Sequence, residues 1–285
     1  MSDEHSIPRR EALKLAALGL TSGLPSPASS KTFAVKPSSR PFQGLKLGIT
    51  SYTTRKLSLD QTIAALERLE IGYISIKDFH LAMDSTPAER RIVAQKVKEG
   101  GLTLMGCGVI GLKNDAAQIR HAFDYCKDLG SSIAVIAPTT DAVPTIGRIL
   151  REYPDLLVAI HNHGPGDEQF PSPMDAYRAV KSLDARMGLC VDVGHTFRWA
   201  EDPVAALKAV RSRLYDVHLK DFAEASARAA TVPVGRGLIE IPAILRTLVE
   251  QKYAYHVALE WEGEADDPIP GMAESFGFIR GVLSG

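Results

Sequence analysis

Residues 187–195 have the sequence MGLCVDVGH, and residues 214–221 have the sequence LYDVHLKD. In both stretches an apolar run of strand length ends in acidic side chains and histidine. Residues 156–163 (LLVAIHNH) and 256–262 (HVALEWE) repeat this pattern. Near-continuous apolar runs are typical of parallel strands that are buried on both faces. Because parallel strands end at the same edge of a sheet, these polar endings predict one shared site.

Eight candidate strands alternate with helical segments after residue 44. They span residues 45–51, 71–77, 102–108, 133–138, 156–161, 187–193, 214–219 and 256–261. Helix starts are marked by a capping residue followed by proline at Thr86-Pro87, Ser172-Pro173 and Asp202-Pro203. Alternating strands and helices predict a parallel sheet. Eight repeats favour a closed (β/α)8 TIM barrel over residues 45–285, with its site at the carboxyl-terminal ends of the strands.

Composition excludes several classes of function. The formal net charge is -1 and no block of Lys or Arg occurs, so the electrostatic signature of a nucleic-acid-binding protein is missing. No glycine-rich nucleotide motif follows any candidate strand. Cys107, Cys126 and Cys190 are too few and too widely spaced for a disulfide framework, and we expect them to be buried.

The N-terminal segment is typical of a twin-arginine export signal. Arg9 and Arg10 precede a short apolar run over residues 15–24, and small residues at Ser26 and Ala28 fit a cleavage site. We predict a signal peptide at 1–28, a linker rich in Pro, Ser and Lys at 29–44, and a periplasmic or otherwise exported protein. The apolar run is too short for a stable membrane anchor. A disordered basic tail is the alternative.

Three polar strand endings predict a metal centre. Asp192, His218 and Glu260 end three successive candidate strands, and His195 stands in the turn after the first of them. Mixed carboxylate and imidazole ligands suit one divalent Mn, Zn, Co or Fe ion. Such a site leaves positions open for substrate oxygens, which the cation polarises as a Lewis acid.

Together these residues resemble the sugar phosphate isomerase/epimerase superfamily of xylose isomerase-like TIM barrels, in an exported twin-arginine subgroup. The resemblance covers residues from about 45 to 285. In that superfamily Glu, Asp, His and Glu from the last four strands bind one divalent metal. The family's DxxH element matches Asp192 and His195, its next histidine matches His218 with Lys220 following, and its last ligand matches Glu260.

The chain departs from this family at the first ligand. His161 stands where many members have Glu, and the resemblance carries the metal role to His161, with His163 or Glu168 as substitutes. Family epimerases exchange a proton through two ligand Glu residues, of which only Glu260 is present here. The second acid or base is therefore open among Glu168, His163 and Lys220.

Substrate-binding candidates lie at the predicted barrel mouth. They are Lys77, His80, His195, Arg236 and Trp261. A solvated turn at Arg236 and simple packing at Trp261 are the alternative interpretations.

The favoured function is that of a metal-dependent sugar isomerase/epimerase-like enzyme that abstracts a proton next to a carbonyl through an enediolate. The first alternative is a lyase or dehydratase acting on keto-sugars or 3-keto-glycosides. The non-enzyme alternative is an exported sugar-binding barrel, and near-neutral charge disfavours an apurinic endonuclease. The expected partner is a small carbohydrate rather than nucleic acid, and a homo-oligomer stays open along with the substrate and the metal.

Overall fold

The computed structural model describes residues 41–285, so the predicted signal peptide and linker residues 29–40 lie outside it. The strands are β1 (Lys46–Thr50), β2 (Tyr73–Ile76), β3 (Thr103–Leu112), β4 (Ile133–Pro138), β5 (Leu157–His161), β6 (Met187–Asp192), β7 (Leu214–Leu219), β8 (Asp221–Phe222), β9 (Thr231–Val232) and β10 (His256–Leu259). The α-helices are α1 (Leu59–Arg68), α2 (Pro87–Glu99), α3 (Ala116–Asp128), α4 (Val143–Ile149), α5 (Pro173–Val180), α6 (Val193–Arg198), α7 (Pro203–Ala209), α8 (Ile241–Glu250) and α9 (Ile269–Ser284).

Eight parallel strands close into a barrel in the order β1-β10-β7-β6-β5-β4-β3-β2. The short strands β8 and β9 form an antiparallel pair in the connection that follows β7. Every candidate strand corresponds to a barrel strand, and the (β/α)8 TIM barrel prediction is confirmed. Among the described residues, no helix combines the length and apolarity that a membrane span requires.

Strand β3 differs from its predicted bounds. It runs beyond residue 108 to Leu112, because its pairing with β4 resumes after an irregularity and extends to Leu112 opposite Pro138. Gly108 lies in this irregularity with a φ of 131°, and a Cβ atom there would sit 2.1 Å from the carbonyl oxygen of Val135. Glycine therefore permits a close approach of two strands that any other side chain would block.

Local capping chemistry starts the helices where it was predicted. Thr86 accepts a hydrogen bond from the Glu89 backbone, and the Glu89 side chain accepts one from the Thr86 backbone, which completes a capping box at α2. Ser172 and Asp202 cap α5 and α7 through their side-chain oxygens, which accept from the Asp175 and Val204 backbones.

The strands of the barrel are covered by apolar side chains on both faces, the outer face toward the helices and the inner face toward the barrel interior. Ala134 and Ile136 of β4 belong to the large cluster that packs the strands against the helices. Ile133 and Val135 alternate with them in a smaller cluster with Ala159 and Cys190, which the strand periodicity places in the barrel interior. All three cysteines are buried, as expected.

The last residues of the predicted linker pack against the barrel domain. Residues 41–44 form a 3-10 turn, and Gln43 Nε2 donates a hydrogen bond of 2.7 Å to the carbonyl of Leu283 at the end of α9. The Arg280 guanidinium lies 5.5 Å from the centre of the Phe42 ring. Residues 42 and 43 thus contact the last turns of α9.

Strand register brings the polar endings to one level. His161 lies opposite Cys190, Asp192 lies opposite His218, and His218 lies opposite Ala258. The Glu260 backbone N–H then donates to the carbonyl of Leu219 at 2.9 Å. The ends of β5, β6, β7 and β10 therefore present their side chains to the same space.

Candidate metal centre and active site

Four buried side chains converge at the carboxyl-terminal ends of β5, β6, β7 and β10. His161, Asp192, His218 and Glu260 each offer one ligand atom, and these atoms all lie within 4.8 Å of one another. His161 Nε2 is 3.1 Å from His218 Nδ1 and 3.5 Å from Asp192 Oδ2. His218 Nδ1 is 3.1 Å from Glu260 Oε2. We call these four residues the cluster.

Asp192 is held in place by the turn that follows its strand. Its Oδ1 accepts a hydrogen bond of 2.8 Å from the His195 backbone and so caps α6. The Asn162 side chain braces the same residue, accepting from the Asp192 backbone N–H at 2.9 Å and donating to its carbonyl at 3.4 Å. These bonds leave Asp192 Oδ2 facing the cluster with no hydrogen-bond partner.

Lys220 supplies the positive charge beside the cluster. Its Nζ lies 3.2 Å from Asp192 Oδ2, 3.2 Å from Glu260 Oε2 and 2.6 Å from Glu262 Oε1. Burial disfavours the ammonium ion, yet the three carboxylates together raise the pKa of Lys220 above its usual value. Lys220 is therefore protonated at neutral pH.

Three of the four cluster residues are in the acid–base states of metal ligands. Burial would raise the pKa of Asp192, but His195, Lys220 and His161 hold it well below the usual value. Burial likewise opposes ionisation of Glu260, while Lys220 and His218 keep its pKa well below normal. Burial lowers the pKa of His161, so its imidazole is neutral at neutral pH. Metal ligands need deprotonated carboxylates and unprotonated imidazole nitrogens. Burial would lower the pKa of His218, but Cys190, Glu260 and Asp216 together raise it well above the usual value, so this imidazole must lose a proton when a cation binds.

The cluster fits one divalent cation. Asp192 Oδ2 is completely buried and makes no hydrogen bond, although the Lys220 ammonium lies 3.2 Å away, so this oxygen keeps a lone pair with which to bind a cation. Two carboxylates with two imidazoles form a mixed oxygen and nitrogen donor set, which suits Mn, Zn, Co or Fe. The buried His/Asp/Glu cluster can therefore hold a metal.

Two further predicted residues lie beside the cluster. The His163 ring centre is 4.4 Å from that of His161, and its Nδ1 is 3.3 Å from Asp167 Oδ2. His195 Nε2 lies 3.2 Å from Lys220 Nζ, and its Nδ1 accepts a hydrogen bond of 2.8 Å from Arg198. Burial lowers the pKa of both imidazoles, that of His195 to about 4. Both rings are therefore neutral and next to the ligand atoms.

Other predicted residues lie elsewhere. Glu168 is exposed, and among the described residues it makes no hydrogen bond or ion pair with the cluster. Arg236 is exposed and paired with Glu274, which matches the alternative of a surface turn. Of the three residues considered for the first ligand position, the structure brings His161 into the cluster, leaves His163 beside it and keeps Glu168 away.

The second strand and the last strand contribute supporting positions. His80 Nε2 contacts the Leu57 carbonyl at 3.1 Å, and Lys77 Nζ lies 4.9 Å from the centre of the Tyr52 ring. Trp261 is buried, and its backbone N–H donates to Thr53 at 2.9 Å. All three residues therefore contact the segment that follows β1, residues 52–57.

Sequence reasoning missed four polar residues around the cluster, namely Asn162, Asp167, Arg198 and Asp216. Asn162 stands between two candidate histidines, and Asp216 precedes His218 by two positions on the same strand face. Both residues could therefore have been predicted from their spacing to the candidate ligands. Asp167 and Arg198 reach the site through loop and helix geometry, which has no counterpart in a local sequence pattern.

Fold and site together define a TIM-barrel protein with a buried His/Asp/Glu cluster that can hold a metal at the carboxyl-terminal face. The chain belongs to the xylose isomerase-like TIM barrel family, whose model matches residues 63–282. No curated protein matches the chain.

Solved structures share this fold at low sequence identity. An uncharacterised protein from Parabacteroides distasonis is 24% identical with a TM-score of 0.65, covering 83% of this chain and 98% of that one. The 3-keto-D-glucoside 4-epimerase YcjR from E. coli is 16% identical with a TM-score of 0.66, covering 83% and 99%. The "probable 3-DHS dehydratase" AsbF from Bacillus anthracis is 13% identical with a TM-score of 0.66, covering 85% and 99%. Identities this low show the fold alone.

Proposed function

We propose that this chain is a divalent-metal-dependent enzyme of carbohydrate metabolism that removes a proton from the carbon next to a carbonyl, in the manner of a sugar isomerase or epimerase. The convergence of four ligand atoms within 4.8 Å at the carboxyl-terminal face carries the proposal. Family membership and structural neighbours that include an epimerase and a dehydratase support the same class of chemistry.

His161, Asp192, His218 and Glu260 would hold the cation. A bound divalent cation supplies Lewis-acid stabilisation of the oxygen that becomes negative when the neighbouring C–H bond breaks. Lys220, protonated and 3.2 Å from both ligand carboxylates, offsets part of their repulsion and offers a proton to a substrate oxygen.

His163 is the best-placed general base. Of the three residues open for this role, Glu168 is exposed and away from the cluster, and Lys220 is protonated. His163 is neutral, and Asp167 lies 3.3 Å from its Nδ1, which leaves Nε2 to accept a proton. Glu260 approaches the cluster through Oε2. Its other oxygen, Oε1, is therefore the candidate for proton transfer on the face of the substrate opposite His163.

Elimination from a keto-sugar or a 3-keto-glycoside is the second candidate. It is favoured by the imidazole of His161 in the first ligand position, because a ligand imidazole has no free lone pair with which to act as a second base. A lyase needs one base and one acid, and neutral His163 with protonated Lys220 fits that pair.

Export to the periplasm, based on residues 1–28, is part of the same proposal and suits an enzyme loaded with metal before transport.

Deuterium incorporation tests the proposed reaction. The purified protein is incubated with Mn²⁺, Zn²⁺, Co²⁺ or Fe²⁺ and with keto-sugars or 3-keto-glycosides in D2O. We expect deuterium to enter next to the carbonyl, with an isomer formed by an isomerase or epimerase and a released aglycone formed by a lyase. Sugar binding without exchange under every metal would instead support the non-enzyme barrel and contradict the proposal.

A further inference from the structure

Asp216 lies on β7 below His218, toward the amino-terminal end of the strand. It precedes His218 by two residues on β7, and Asp216 is completely buried. Its Oδ1 accepts a hydrogen bond of 2.9 Å from the Val217 backbone and lies 3.6 Å from His256 Nδ1. Its Oδ2 lies 3.6 Å from His218 Nε2. The carboxylate is thus placed between two imidazoles.

Neither facing atom has another partner. Asp216 Oδ2 and His218 Nε2 are both buried and make no hydrogen bond. Within residues 41–285, no Lys or Arg side chain forms an ion pair with Asp216. A buried carboxylate oxygen needs a hydrogen-bond donor. The nitrogen that faces Asp216 Oδ2 is His218 Nε2, 3.6 Å away.

The His218 ring lies between the cluster and Asp216, with one nitrogen facing each. Nδ1 is the atom that faces the cluster, 3.1 Å from both His161 Nε2 and Glu260 Oε2. If Nδ1 binds a cation, the ring proton must be on Nε2, and that N–H points toward Asp216. The gap of 3.6 Å is a few tenths of an ångström longer than a hydrogen bond. A small shift of either side chain closes it.

We infer that Asp216 is a positioning residue that accepts the Nε2–H of His218, fixes the tautomer with Nδ1 free to bind the cation, and strengthens that nitrogen as a ligand. The inference rests on the proposed metal site. Carboxylates that orient ligand histidines in this way act on metal affinity and on the ligand field at the metal. His256, on the other oxygen of Asp216, completes a buried line from the cluster toward the opposite end of the barrel.

Cobalt binding by the Asp216→Asn variant tests the inference. Asn has the same shape but no charge, so we expect affinity for Co²⁺ to fall about 10- to 100-fold and the visible absorption spectrum of the bound cobalt to change. Ser75→Ala is the matched control, because Ser75 Oγ is also buried and unpartnered but makes no hydrogen bond to His218 or Asp216. Its Co²⁺ affinity is expected to stay within about 3-fold of wild type.

Chelator-treated protein separates positioning from structural support. Asn keeps the size of Asp216 and an oxygen that can accept the Val217 backbone hydrogen bond, so the metal-free Asp216→Asn protein should be about as resistant to urea as wild type. If Asn is not tolerated, Asp216→Ser is measured in the same way, with the same expectation. Wild-type affinity and spectrum in a folded variant would overturn the inference, as would a loss of stability with unchanged affinity. Failure of the wild-type protein itself to bind Co²⁺ would contradict the proposed metal site.

Discussion

The Asp192→Asn variant is expected to bind divalent cations at least about 100-fold more weakly than wild type, since even outer partners of metal ligands contribute 10- to 100-fold. Its rate of proton exchange should fall by at least about 1000-fold, because the cation is proposed to supply several kcal/mol of stabilisation. Asn retains an oxygen that accepts the His195 backbone hydrogen bond, so the cap of α6 survives. The amide nitrogen replaces Oδ2, which is the ligand atom, and meets Lys220 Nζ at 3.2 Å as a second donor.

Asp202→Asn is the control for this substitution. Asp202 caps α7 by accepting from the Val204 backbone at 2.8 Å, so the same chemical change is made at a cap outside the cluster. We expect metal affinity and exchange rate within about 2-fold of wild type for this control. Equilibrium dialysis and deuterium exchange measure both quantities. An Asp192→Asn protein with a wild-type exchange rate would remove Asp192 from the proposed centre.

The His163→Gln variant should lose about 100- to 10,000-fold in the rate of proton abstraction, the usual contribution of a positioned general base. Gln preserves a polar side chain of similar length but cannot accept a proton at neutral pH. His163 is not among the four cluster residues, so metal affinity is expected to change little. Single-turnover deuterium exchange at saturating metal measures the chemical step separately from metal binding.

Glu168→Gln is the matched control in the same loop. Glu168 is exposed, and its substitution should leave the exchange rate within about 2-fold of wild type. The two variants together assign the base. A rate unchanged in His163→Gln but strongly reduced in Glu168→Gln would show that the loop moves when substrate binds and that Glu168 is the base.

Most of the fold was predictable because local signals and tertiary structure agree. The apolar run at 187–193 corresponds to β6, and the Thr86-Pro87 start with Glu89 forms the predicted capping box. The extension of β3 was not predictable, since it depends on close contact between Gly108 and the Val135 carbonyl of a neighbouring strand. Packing across strands decides where such a strand ends, and the sequence of one strand does not contain that information.

The candidate site was predictable to the extent that strand endings determine it. Asp192, His218 and Glu260 follow from the apolar runs that precede them, and the structure brings them together with His161. Arg236 stands in a glycine-flanked loop that resembles a binding loop, but its partner is Glu274 on α9. Asp167 approaches His163 across a loop turn. Long-range pairing of this kind depends on loop conformation, which has no periodic signal.

The central claim is that the cluster binds a divalent cation, and the metal content of the purified protein tests it most directly. The protein is stripped with chelator, dialysed against each of Mn²⁺, Zn²⁺, Co²⁺ and Fe²⁺, and analysed by mass spectrometry for bound metal per chain. We predict about one equivalent of at least one of these ions, bound at a single site. No bound metal with any of the four ions would contradict the account, and the cluster would then be a buried polar network without a metal.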